Sequence, residues 1–204
     1  MQKLFMQEAE KNKVFPLDDR YVERAEPQNR PQHNVGRTSY TYYEGTTRIT
    51  EGMAPDMKNR SYSITADVVI PEGGANGIMM TQGGFFRGNA FLLMDGKPTF
   101  LYARSLTPDQ KFKVQAPNKL SAGKHTLKAD FVYDGGGTGK GGTTTIYVDG
   151  KEVAKGRIDG TVPIRVSLDE TLDIGEDTGT PIVRDYKVPF KFTGELEKVV
   201  IDLK

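Results

Sequence analysis

Apolar and polar residues alternate with a period of two along much of this chain, the pattern of strands that bury one face and wet the other. In the segment 61–70, Tyr62, Ile64, Ala66, Val68 and Ile70 share one parity. The segments 39–43 and 46–50 read as paired strands around Glu44-Gly45. The segments 77–82 and 89–94 are more continuously apolar, which predicts central strands. Asp95-Gly96 and Asp149-Gly150 are two-residue hairpin turns of the kind that joins antiparallel neighbours. Further strands are expected at 98–102, 111–115, 124–133, 143–148, 152–158 and 195–203. Strand, turn, strand repeated this often predicts an all-β antiparallel sandwich or jelly roll.

The first residues break this rhythm. Residues 1–14 read as a short helix with Met1, Leu4, Phe5 and Ala9 on one side, ended by the extended dipeptide Phe15-Pro16. The polar stretch 16–36 has neither periodicity and reads as a linker wrapped over a surface. The expected organisation is a helix and linker over 1–37 and a β-sandwich domain over 38–204.

Length and composition fit that picture. With 204 residues the chain can bury a real core without covalent staples, and 23 glycines with 11 prolines supply many tight turns. Its 28 basic and 27 acidic residues are spread along the chain, which leaves no electrostatic footprint for nucleic acid or an anionic membrane. The longest apolar runs are too short to span a bilayer, and the first residues lack a secretory apolar region. Zero cysteines exclude disulfides, thiolate metal sites and cysteine catalysis, and suit cytoplasm and periplasm equally.

Candidate chemistry is sparse. The run Gly135 to Gly142 contains G-x-G-x-x-G, but strands flank it on both sides, whereas a phosphate loop opens a helix. The acidic run from Asp169 to Asp177 offers Asp173, Glu176 and Asp177 around a glycine turn as a candidate calcium site. As glycosidase acids, Glu170, Asp173 and Glu176 have the wrong spacing: residues three apart on a strand scatter between faces. His125 shares the parity of Leu127, Ala129, Phe131 and Tyr133 and reads as a packed strand-end histidine with no evident partner; His33 is the other imidazole. Tyr40, Tyr42, Tyr43, Phe85, Phe86 and Tyr102 are candidates for an aromatic platform. Within it, Phe85, Phe86, Arg87 and Tyr102 form the candidate ligand-binding set, because two rings and a cation sit on a glycine-flanked loop.

Several segments, in order, carry a resemblance: FPLDDR after the helix, GRTS at 36–39, KNRSYSITADVVIPEGG at 58–74, GGTTTIYVDGK, DETLDIGEDTGTP and VPFKFTGELEKVVIDL. Together they resemble the C-terminal region of bacterial arylsulfatases, the formylglycine-dependent sulfuric ester hydrolases. From Ile64 onward the rhythm is also similar to concanavalin A-like and laminin G-like sandwiches. The sulfatase resemblance implies chemistry housed in an upstream α/β domain bearing a C/S-x-P-x-R motif, and this chain has no such motif. It therefore implies a non-catalytic domain with no catalytic residue of its own, whose partner is a sulfatase catalytic domain, in cis or as a separate chain. A stand-alone carbohydrate-binding module is the alternative, with carbohydrate as partner, and a glycosidase ranks below both.

Overall fold

The computed structural model describes residues 1–20, 23, 34 and 36–204. The chain divides into two compact units, Met1–Pro31 and Gln32–Lys204. In the first unit, helix α1 spans Gln2–Lys11, buries Ala9 and leaves Leu4, Phe5 and Met6 exposed. Phe15 meets Phe5 edge to face, with ring centroids 6.4 Å apart. The expected wrapping linker and His33 lie largely outside the described residues.

The second unit is built from strands β1 (Ser39–Tyr42), β2 (Tyr62–Ile70), β3 (Gly77–Gly83), β4 (Gly88–Met94), β5 (Lys97–Ala103), β6 (Lys111–Gln115), β7 (Gly123–Tyr133), β8 (Gly142–Val148), β9 (Lys151–Ile158), β10 (Leu172–Ile174) and β11 (Glu195–Leu203). Two antiparallel sheets result, ordered β1-β11-β2-β7-β8-β9 and β10-β3-β4-β5-β6. The all-β sandwich expected from the alternation is the fold. Both Asp-Gly turns have positive φ at each residue, as tight hairpins between right-twisted strands require.

The main core lies between the sheets. Tyr62, Ile64, Ala66 and Val68 of β2 and Leu127, Ala129 and Phe131 of β7 meet Phe91, Leu93, Phe100 and Tyr102 of the second sheet. Each large side chain buried there contributes roughly 1.5–3 kcal/mol. Pairing on β11 shifts register between Leu196 and Lys198, and so both Leu196 and Val199 point inward despite their odd spacing.

The second sheet is covered on its other face too. Ile78, Ala90, Leu92, Met94, Leu101 and Ala103 pack under Ile182 and Tyr186, with Val183, Val188 and Phe190 beside them. A strap over residues 177–190 thus closes that face, which explains why 77–82 and 89–94 are apolar at both parities.

Two expectations fail here. The segments 39–43 and 46–50 are not a hairpin: β1 pairs with β11, whereas Gly45 and Ile49 donate to the carbonyls of Ile174 and Leu172. The Glu44-Gly45 turn carries the chain from one sheet to the other, and Arg48, at φ 59°, breaks any ladder. The expected set of strands is also incomplete, because Leu172–Ile174 within the acidic run forms edge strand β10 beside β3. Among the described residues, no helix is long and apolar enough to cross a membrane.

Candidate functional site

Three loops meet at one end of the second sheet. Register places Gly88 opposite Ala103 and Ala103 opposite Lys111, so the β3–β4 loop at 83–88 and the β5–β6 loop at 104–110 leave the sheet together. The β9–β10 connection joins them through the Gly83 amide, which donates to Thr171 O.

Hydrogen bonds fix each loop. Glu51, itself paired with Lys58 at 2.8 Å, accepts from the amides of Val166 and Ser167, and Asn59 Nδ2 donates to Pro163 O at 2.7 Å. These contacts hold out Ile164, Arg165 and Leu168 as exposed side chains, Leu168 at 79%. Thr180 at the start of the strap accepts from Phe85 N at 3.0 Å and donates to Glu170 Oε1 at 2.6 Å. Glycine is required at 84, where a Cβ would overlap Thr180 Oγ1 and the Glu170 carboxyl.

The rings and cations of this end then fall into place. Phe86 is 63% exposed at the loop tip, while Phe85 is half-buried. Lys111 Nζ stands 3.2 Å from the Phe85 ring centroid, and Arg184 Cζ stands 5.2 Å from the same centroid. Lys111 also donates to Phe85 O at 2.8 Å and Ile182 O at 2.9 Å. Burial, and then the charge of Arg184, pull the Lys111 ammonium below its ordinary pKa. Arg87 Nη1 donates to Arg165 O at 3.0 Å.

Carboxylates nearby are largely committed elsewhere. Both oxygens of Glu170 are taken by Thr180, Asp185 faces Lys113 at 3.7 Å, and Asp109 accepts from Gln110. Asp169 remains exposed on the same connection. Among the described residues, none of Arg87, Lys111, Arg165 and Arg184 forms an ion pair. On the outer face of the six-stranded sheet the opposite holds: Lys198 pairs with Asp67, and Lys128 and Lys204 pair with Asp130.

The candidate binding set is therefore split. Phe86 and Arg87 lie exposed, and Phe85 forms the floor beneath two cations. Tyr102 is a correction: it is 6% exposed in the inter-sheet core, and its hydroxyl accepts from Val162 N at 2.9 Å. Burial pushes its pKa up to about 12. Strand parity explains this, since on β5 Tyr102 follows Phe100 inward while Leu101 and Ala103 face the strap. Tyr40 is buried as well, so no aromatic platform forms.

Asp173, Glu176 and Asp177 do not converge on a cation either. Asp173 accepts from the Arg48 and Thr178 amides and from the hydroxyls of Thr171 and Thr178. Asp177 accepts from Gly179 N and from Tyr186 Oη at 2.7 Å. Among the described residues, no three His, Asp or Glu side chains are grouped as a metal site. The physical reason is β10: with Leu172 and Ile174 turned into the inter-sheet core, Asp173 is buried on the opposite face, where the chain's own donors fill its carboxylate. Asp177, 1% exposed, has its pKa raised to about 6, first by burial and then by the charges of Asp173 and Glu170, against the pull of its two donors.

His125 does have partners, contrary to expectation. Nδ1 lies 2.8 Å from Asp149 Oδ2, and Nε2 lies 3.0 Å from Ser121 O and 3.3 Å from Ser121 Oγ. The contact locks the start of β7 to the β8–β9 turn. The G-x-G-x-x-G run joins β7 to β8, with Tyr133 Oη bonded to Gly137 O and Lys140 N. The run is followed by a strand rather than by a helix.

No protein-family model and no curated protein matches the chain. Solved structures do. The CBM40 of the Ruminococcus gnavus IT-sialidase, bound to α2,3-sialyllactose, aligns with TM-score 0.51 and 13% identity over 78% of this chain and 84% of that one. A leech intramolecular trans-sialidase gives 0.50 and 9%, over 81% of this chain and 25% of that one. Domains LG4-5 of the mouse laminin α1 chain give 0.47 and 15%, over 82% and 39%. The chain thus spans well under two thirds of the laminin and leech chains. The likenesses to the CBM40 and to the leech enzyme show the fold alone, an antiparallel β-sandwich.

Proposed function

We propose that this chain is a non-catalytic carbohydrate-binding module. The observation that carries the reading is the loop end of the second sheet, where an exposed ring, Phe86, stands beside Arg87 on a loop fixed by Thr180 and Glu170. A flat ring stacks on the apolar face of a sugar, and neighbouring guanidinium groups orient its oxygens. With the strap closing the sheet's outer face, this end brings an exposed ring and hydrogen-bond donors together at the solvent. Support also comes from the CBM40 likeness, since that module is a sugar-binding one of the same fold. A glycan array with neutral, carboxylated and sulfated members tests the reading. Selective signals are expected, and a blank array at high protein concentration overturns it.

A second reading, the C-terminal domain of an arylsulfatase-like protein, is favoured by the ordered sulfatase-like segments. Its partner would be a sulfatase catalytic domain. Co-purification of the chain with such a domain is the expected result, and failure to associate removes it. Neither reading gives the chain alone aryl sulfate hydrolysis, and robust turnover of a chromogenic aryl sulfate would overturn both.

A further inference from the structure

Lys111 and Arg184 both face the Phe85 ring, at 3.2 Å and 5.2 Å from its centroid, without a carboxylate partner among the described residues. Like charges on one small ring repel, and the pKa of Lys111 is lowered first by its burial and then by the charge of Arg184. Arg87 and Arg165 add two more guanidinium groups on loops tied together by the Arg87 Nη1 bond to Arg165 O. An anion in front of these groups relieves the repulsion and gains charge-assisted, partly bidentate hydrogen bonds.

We infer that the ligand of this end is an anionic saccharide, carrying carboxylate or sulfate, held by Arg87, Lys111, Arg165 and Arg184 with Phe86 against its ring. This rests on the carbohydrate-binding reading above. Saccharide is favoured over nucleic acid because the cations stand on loops tied to one end of a sheet, beside an exposed ring, on a chain of formal net charge +1. A phosphate backbone is met instead by an extended basic stripe.

The test is titration calorimetry of the full chain with three oligosaccharides of equal length: neutral, polyuronate and sulfated. Arg184→Gln and Arg165→Gln are compared with wild type, and Lys198→Gln is the control, since Lys198 is paired with Asp67 on the far sheet. Equal denaturation midpoints establish that all variants fold. Binding to the uronate or the sulfated ligand, about tenfold weaker in each arginine variant and unchanged in the control, supports the inference; about tenfold is what one charge-assisted hydrogen bond is worth. The arm that binds identifies the anion. Binding to the neutral ligand alone, or anion binding insensitive to both arginines, overturns the inference and leaves the carbohydrate-binding reading intact. No binding in any arm overturns both. Tighter binding to a single-stranded DNA of equal charge also overturns the inference.

Discussion

The strap over residues 177–190 positions Arg184 and Thr180, and one hydroxyl within it can be removed cleanly. Tyr186 Oη donates to Asp177 Oδ2 at 2.7 Å and accepts from Ile182 N at 2.8 Å, with Asp177 and Ile182 buried. The Tyr186 ring also stacks on Phe190 with centroids 5.0 Å apart. Tyr186→Phe keeps that stack and deletes only the hydroxyl. It removes a bond to a carboxylate, roughly 1.5–3 kcal/mol, and orphans a buried amide at roughly 1–3 kcal/mol. Because one group serves both, and phenylalanine gains some hydrophobic burial, the expected loss is about 2–4 kcal/mol. Urea melts followed by circular dichroism measure it.

The same bond predicts a pH signature. Asp177 titrates near 6 in the fold against 3.8 as its ordinary value, so the native state binds the extra proton between those values. Stability from this group is therefore highest below about pH 4 and declines as pH rises to 6 and beyond, by up to about 3 kcal/mol at 1.36 kcal/mol per pKa unit. In Tyr186→Phe the donor that holds the carboxyl down is gone, so the decline extends to higher pH and the variant loses more at pH 8 than at pH 5. Asp177→Asn flattens the decline. A Tyr186→Phe cost below about 0.5 kcal/mol, or an Asp177→Asn protein that keeps the wild-type slope between pH 4 and 6, refutes the reasoning.

Three other outcomes are expected. Phe86→Ala leaves stability within about 0.5 kcal/mol of wild type, because the ring is exposed, yet removes signal on the glycan array; an unchanged array profile counts against the loop end. Tyr102→Phe costs roughly 1–3 kcal/mol by leaving the Val162 amide unmet, and glycan affinity at saturating folded protein stays the same, as measured by melts and calorimetry. Gly88→Ala lowers the thermal midpoint by several degrees, since its Cβ would crowd the Gln82 carbonyl and lie 2.8 Å from Ile182 Cδ1; an unchanged midpoint shows that the strap yields freely.

How legible the protein was in its sequence can be judged element by element. The alternation at 61–70 gave β2 with its inward face correct, and Asp95-Gly96 and Asp149-Gly150 gave both hairpins. Three-residue β10 has too few residues for a period to show. The strap was also missed, although Ile182, Tyr186, Val188 and Phe190 share a parity that marks a face to be covered. Tyr102 was misplaced because parity alone does not say which of two buried faces a side chain occupies when the sheet is covered on both.

Local pattern by itself determined the fold class, the turns and the loop tip carrying Phe86 and Arg87, because alternation and positive-φ turns depend on neighbours in the chain. The meeting of Phe85 with Lys111 and Arg184 was decided only by tertiary structure, across separations of 26 and 99 residues. The same is true of the filling of Asp173 and Asp177 by the chain's own donors. Such contacts depend on which strands pair and how the strap crosses the sheet, and those choices follow from the free energy of the assembled core, which no local stretch of residues encodes.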